Sequence, residues 1–301
     1  MAILTFSAEA HSSNEVQYTS APNPQMPKSI KFCGKEVDLS RYDMYERMDR
    51  ELTSIVYTHA NTLLTIKRAN KYYSDIMAIL KKNSIPQDLF YLVAVESYFS
   101  PTAVSGAKAA GLWQFMPQTG TRFGLEVGDE VDERFDPIKS TEAACKCLKY
   151  LYGKFGDWAA VAGAYNAGEG RISRELDSQQ VSSFYDLYLN QETSRYVFRI
   201  LAMKLIISNP KAYGFRLTQD QLYQPIKTRT VSVSESNVNW CEWAVSQGIN
   251  YAILRELNPW IRSKTLSNSS GKTYTVKLPA DDKAIYRQSD RLKAHNPNWK
   301  M

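Results

Sequence analysis

Glu96-Ser97-Tyr98-Phe99-Ser100-Pro101-Thr102-Ala103-Val104-Ser105-Gly106-Ala107-Lys108-Ala109-Ala110-Gly111-Leu112-Trp113-Gln114-Phe115-Met116-Pro117 is the stretch whose reading decides the fold. It puts one carboxylate at the end of an apolar helix. Ser84-Ile85-Pro86 offers an N-cap residue with a proline close behind it, and Asp88-Leu89-Phe90-Tyr91-Leu92-Val93-Ala94-Val95 is apolar on nearly every side. Such a helix is buried, so Glu96 lies where core gives way to surface. Partial desolvation and the negative end of the helix dipole both penalise the anion there and raise the carboxyl pKa. Glu96 then becomes a proton donor near neutral pH, as a general acid in glycoside cleavage must be. Taken alone, a glutamate at a helix end is most often a solvated surface residue, and the flanking residues decide between the two readings.

After Glu96, Ser100-Pro101 and Gly106 break the chain, and Gly111 permits a tight approach that returns Leu112-Trp113-Gln114 toward the helix end. Ser105 and Gln114 are therefore expected to hydrogen-bond the carboxylate or a substrate, and Trp113, Phe115 and Met116 to anchor the turn in the core. Asp132-Glu133-Arg134-Phe135-Asp136-Pro137 reads as a surface turn leading into a helix from Pro137. Asp157 caps the next helix, whose run of small residues, Trp158 to Ala164, implies close packing. Two glycines then free the backbone just where Tyr165 and Asn166 present a phenol and an amide. Ser182 to Ile207 reads as a further helix pair, with Gln191-Glu192-Thr193 opening its second member. Upstream, Ile30 to Leu39 alternates like a hairpin, and Tyr42 to Asn83 has the apolar spacing of scaffold helices.

Glu96-Ser97, Ser105, Gly111-Leu112-Trp113-Gln114, Ala164-Tyr165-Asn166 and Glu192-Thr193-Ser194-Arg195-Tyr196-Val197 come in one order, and together they resemble the lytic transglycosylases with a lysozyme-like domain. The likeness is greatest to the membrane-bound lytic transglycosylase D branch and runs from about Leu80 to about Leu217. Lys108 departs from the wider family, which often has glycine there. The resemblance implies a peptidoglycan substrate, no metal or cofactor, and Glu96 as the catalytic acid. Ser97, Ser105, Gln114, Tyr165, Asn166 and Glu192 would be substrate-binding. Tyr165 would bond the catalytic carboxyl or a substrate acetamido group, with Tyr196 packed beside Glu192. Location in the bacterial envelope, on the periplasmic side, follows from the same resemblance.

From about Thr228 the character changes. Thr230-Val231-Ser232-Val233, helical Val238 to Ala244, helical Tyr251 to Leu257 and strand-like Tyr274 to Pro279 make a β-α-α-β order that resembles a LysM carbohydrate-binding module, although Ser234-Glu235-Ser236 stands where such modules usually carry Gly-Asp. The expected fold is thus mainly α: a lysozyme-like helical catalytic domain over 30–226, then a small α+β module over 227–280. A flexible leader or tether over 1–29 would precede them, and a polar tail over 281–301 would follow.

Composition narrows the function classes. The +6 net charge is scattered, which draws a protein toward anionic wall polymers or headgroups without any basic-aromatic pattern for nucleic acid. Cys33, Cys145, Cys147 and Cys241 fit neither a dense disulfide framework nor a zinc spacing. Cys145 and Cys147 read as small core residues, and a Cys33–Cys241 bridge is open to an oxidising compartment without any sequence feature that argues for it. No run of apolar residues is long enough to span a membrane, and Ala8-Glu9-Ala10 would close a trimmed signal that tethers the chain. Two alternatives stand beside the transglycosylase. One is a lysozyme-like hydrolase in which Glu192 or Asp136 holds a water, and the other is a wall-binding protein with an inactive domain.

Overall fold

A hairpin of β1 (Ser29–Phe32) and β2 (Lys35–Asp38) pairs Ile30 with Val37 and turns at Cys33-Gly34, where both residues take positive φ. Its alternating Ile30, Phe32 and Val37 are buried on the helical core. The computed structural model describes residues 23–286 and 292–299, so most of the leader lies outside the described residues.

The helices follow from apolar spacing and caps. In α1 (Tyr42–Tyr57) the buried residues Met44, Met48, Leu52 and Val56 recur every fourth position and form one stripe. After Thr58 the chain continues as α2 (His59–Lys82), whose Tyr72 is core. The apolar segment forms α3 (Phe90–Ser97), which ends at Tyr98 in the left-handed region. The short α4 (Pro117–Arg122) has proline in its first turn. Asp136 caps α5 (Pro137–Phe155), Asp157 caps α6 (Trp158–Ala167), and α7 (Glu169–Ser178) follows at once; Asn190 caps α8 (Gln191–Ser208). Helix α8 is central, since α1, α3 and α6 all pack on it. Gly163 of α6 allows one of these close approaches, because a Cβ there would sit 2.1 Å from the Phe184 ring.

The second unit has its own core of Val233, Trp240, Leu254, Trp260, Val276 and Leu278, among others. Strand β3 (Thr228–Val233) pairs antiparallel with β6 (Tyr274–Pro279), placing Val231 opposite Val276. Between them lie β4 (Val238–Asn239), α9 (Trp240–Ser246), α10 (Tyr251–Leu257) and β5 (Thr265–Leu266). The helix expected from Val238 starts two residues later, because Val238-Asn239 pairs with β5 and the Asn239 side chain caps α9. The mainly α domain followed by a small α+β module is the architecture expected.

This unit is docked on the segment before α5. Val131 belongs to its core and bridges Ile261; Asp132 N–H donates to Trp260 O at 2.9 Å, and the Arg262 guanidinium lies 4.0 Å from the Phe135 ring centre. The linker is strapped to α2 by Asn70, which is fully buried and donates to Tyr223 O at 2.9 Å.

Residues 292–299, expected only as part of a polar tail, pack on the helical domain. Trp299 is 2% exposed, donates its indole N–H to Ile207 O and meets Tyr73 edge-on at 5.3 Å. Asn70 donates to Lys293 O at 2.9 Å and accepts from His295 N–H at 2.9 Å, so one large apolar side chain and a buried amide dock the segment together. Trp299→Ala should cost about 3 kcal/mol, read as a lower urea midpoint at unchanged slope; an unchanged midpoint would mean that this segment contributes no packing. All four cysteines are free, Cys33 and Cys241 included. Among the described residues no helix is long and apolar enough to cross a membrane.

Candidate active site

Glu96 occupies the last turn of α3, where the buried helix meets solvent. Its carboxyl accepts a hydrogen bond from the hydroxyl of Tyr196, a buried residue of α8. Burial pushes the Glu96 pKa up to about 7; the Tyr196 hydrogen bond opposes that shift and the negative charge of Glu192 adds to it. The Tyr196 phenol is itself held well above its ordinary range by burial and by Glu96, so it remains a donor. The site therefore stores a proton on a carboxyl that would be ionised in water.

Glu192 lies in the first turn of α8, exposed, one helical turn before Tyr196 on the same face. Its reach to Glu96 is electrostatic. Tyr165, at the end of α6, is half-buried and donates its hydroxyl to Trp113 O at 2.7 Å. The phenol that bonds the Glu96 carboxyl is thus Tyr196, which the sequence motif placed only beside Glu192. Asn166 is half-buried next to Tyr165 in the chain.

The loop between α3 and α4 forms another wall. It is folded on itself by bridges of Ala110 to Val104 and to Phe115. Ser97, expected to contact substrate, is 4% exposed and donates its hydroxyl to Leu112 O at 2.8 Å, tying the helix end to the turn. Gln114, expected to hydrogen-bond the carboxylate or a substrate, donates to Gly111 O at 2.8 Å and Ala103 O at 3.2 Å. Ser105 is exposed and accepts from Ala109 N–H at 3.0 Å. These three polar side chains satisfy backbone groups of a loop that has no regular ladder to do so. Trp113 and Phe115 are the buried anchors expected, with the Trp113 indole N–H on Thr141 Oγ1 at 2.8 Å, while Met116 is exposed.

Arg134 pins the loop from below. Its Nη1 donates to Lys108 O at 2.8 Å and Phe115 O at 3.0 Å, and its Nε and Nη2 grip Asp132 at 2.9 and 2.6 Å. Asp132 to Asp136 is consequently buried, where a surface turn was expected. The charges tolerate burial because each has partners: Asp132 holds Arg134, Glu133 takes Lys139, and Asp136 accepts Ile138 N–H at 2.8 Å and Lys139 N–H at 3.0 Å. The sequence carried no local sign of this, since mixed charges before a proline read as solvated. The same segment carries the second unit, so the brace of the loop and the dock of the module share residues.

What the arrangement offers is one carboxyl whose pKa is held up to about 7, a phenol donor on it and a second, exposed carboxylate on the helix face that carries the phenol. Among the described residues, no group of His, Cys, Asp and Glu is placed to hold a metal ion.

Against known proteins, residues 74–187 match the model of the transglycosylase SLT domain, and residues 229–282 that of the soluble lytic transglycosylase C-terminal LysM-like domain. Among curated proteins, the chain is 35% identical over 236 residues to a membrane-bound lytic murein transglycosylase D of Escherichia coli (strain K12), covering 77% of this chain and 50% of that protein. A membrane-bound lytic murein transglycosylase C of Haemophilus ducreyi is 30% identical over 149 residues, covering 45% of this chain and 40% of that protein. The chain thus spans half or less of the length of these relatives. The solved 70 kDa soluble lytic transglycosylase of Escherichia coli aligns with a TM-score of 0.40 and 26% identity, over 45% of this chain and 24% of its own.

Proposed function

We propose that this chain, which carries a transglycosylase SLT domain and a LysM-like C-terminal domain and is homologous to membrane-bound lytic murein transglycosylase D, is a peptidoglycan lytic transglycosylase. The observation that carries the reading is the Glu96 carboxyl, pushed up to about 7 by burial and contacted by a phenol. Protonated, Glu96 gives its proton to the oxygen linking N-acetylmuramic acid to N-acetylglucosamine as the C1–O bond breaks. The muramyl acetamido group stabilises the positive anomeric carbon. Glu96, now ionised, takes the proton of the C6 hydroxyl of the same sugar as that oxygen closes onto C1. The product is a 1,6-anhydromuramyl end, no water is consumed, and the acid is regenerated.

A pKa near the working pH suits a group that must both give and take a proton in one cycle. Tyr196 would hold the carboxyl in place, and Glu192 would keep it protonated and line the cleft. Asn166 and Tyr165 would line the cleft near the sugar, and Ser97, Ser105 and Gln114 would act by holding the loop that covers it. A hydrolase needs a second carboxylate to hold a water. Asp136 is committed to capping α5, which leaves Glu192 for that role. Mass spectrometry of products from purified peptidoglycan separates the two, because anhydro ends are lighter than reducing ends by one water. Reducing ends alone would make the chain a muramidase. The polymer places the activity at the bacterial envelope.

Tyr196→Phe tests the link between the phenol and the acid. Its hydrogen bond favours the anion, so its loss raises the carboxyl pKa further. The acid form is the active one, and the alkaline limb of kcat/KM should therefore move to higher pH. A limb that stays in place would mean that Tyr196 does not contact the titrating group.

A further inference from the structure

Beside the Glu96 helix is a recess of about 200 Å³ whose wall includes Val95 and Tyr98 of the α3 end, Ser54 and Asn61 from α1 and α2, and Arg195 and Arg199 of α8. Its charge is unbalanced. Glu51, 1% exposed, lies 2.6 Å from Arg195 Nε, 3.4 Å from Arg199 Nε and 3.0 Å from Arg50 Nε. One carboxylate thus faces three guanidinium groups. Arg195 spends Nε and Nη2 on Glu51, and Arg199 approaches it through Nε at 3.4 Å. Arg199 is 35% exposed and Arg195 23%. Their remaining N–H groups are held in a concave, partly dry site, the setting in which a planar fork best recognises a carboxylate.

The register of α8 relates this recess to the chemistry. Glu192, Tyr196 and Arg199 are spaced by three or four residues and share one face. The backbone of Arg199 therefore lies about one helical turn, roughly 5 Å along the axis, from that of Tyr196, whose phenol holds Glu96. Ile55 and Met203 add apolar wall, so the recess has room for more than a bare carboxylate.

We infer that this recess is a carboxylate subsite in which Arg199 and Arg195 bind an acidic residue of the peptide carried on the muramyl lactyl group. The inference rests on the transglycosylase reading of Glu96 and adds to it a preference for peptide-bearing strands. Glu51 is a positioning residue that holds the two arginines in place. The same chemistry could be met by the free lactyl carboxylate of a strand stripped of peptide, and the test separates the two.

Titration calorimetry of the full chain with N-acetylmuramyl tripeptide, the same compound with its carboxyls amidated, and N-acetylmuramic acid needs no turnover, because none has a glycosidic bond to cut. The free tripeptide should bind about tenfold more tightly than either of the others, the worth of one charged hydrogen-bonded contact. Arg199→Gln should erase that difference and Arg199→Lys restore part of it. Equal binding of the free and amidated tripeptides overturns the subsite. Equal binding of N-acetylmuramic acid and the tripeptide overturns the peptide assignment, and no binding of any of the three overturns both. The comparison of ligands on the unaltered chain stands even if a variant fails to fold. Anhydro ends from intact peptidoglycan, measured alongside, report on Glu96 independently: product with no carboxylate preference sinks the subsite alone.

Discussion

Glu96→Gln should lower the release of anhydro ends from peptidoglycan by about a thousandfold, and it should at the same time make the protein more stable above pH 7. The loss of rate is the loss of the transferable proton, since an amide neither protonates the leaving oxygen nor accepts the C6 hydroxyl proton. The gain in stability follows from linkage. The carboxyl is raised from 4.5 to about 7 in the fold, so between those values the folded chain keeps a proton that the unfolded chain has released. Native stability therefore falls as pH rises through that window. Glutamine does not titrate. The variant should match the native chain below about pH 4.5 and exceed it at pH 8 by on the order of 3 kcal/mol, at about 1.4 kcal/mol per pH unit. Urea denaturation of both proteins at pH 4.5 and pH 8 reads the difference directly. Equal offsets at the two pH values would mean that Glu96 has an ordinary pKa, and a variant retaining near-native turnover would remove it from the chemistry. A site residue that destabilises its own fold at working pH is the signature of function set against stability.

Gly111→Ala should be the most damaging of the glycine-to-alanine changes in the chain. Gly111 has φ of +79°, and a Cβ built on it would lie 1.8 Å from the carbonyl oxygen of Arg134. Backbone conformation and backbone clash both oppose the change, and neither can be relieved by turning a flexible side chain. Together they should cost about 3–5 kcal/mol. Movement of Arg134 would also release Lys108 O and Phe115 O, and with them the loop wall beside Glu96. Activity should fall by about a hundredfold even at temperatures where the variant stays folded. Thermal denaturation with a parallel product assay checks both parts. A native-like Tm would mean that the Gly111 turn does not pack on Arg134, and native-like turnover in a destabilised variant would mean that the loop does not position the reaction.

These two residues were legible in the sequence for local reasons. An apolar run with a proline at its start and a carboxylate at its end places Glu96 at the edge of a core, and a glycine before Leu-Trp-Gln marks a backbone turn. The β-α-α-β order of the last unit was readable in the same way, because strand alternation and helical spacing are properties of neighbouring residues. The hydrogen-bond partners of Gln114, Ser97 and Tyr165 were not readable. Each side chain is polar, and each spends hydrogen bonds on backbone carbonyls of the loop. Only the folded loop shows which carbonyls lack a partner.

The sequence by itself determined that this chain has a buried helix ending in an acid, a glycine-dependent turn after it and a small β-α-α-β unit at the far end, because periodicity, caps and turns act over a few residues. Tertiary structure alone decided that Tyr196 meets Glu96, that Arg134 braces the loop through Asp132, that three arginines share Glu51, and that Trp299 closes the core. Most of those contacts join residues far apart in the chain, and their charges and hydroxyls would be equally at home in water. Their pKa values, partners and roles come from the desolvation that packing imposes, which no local pattern encodes.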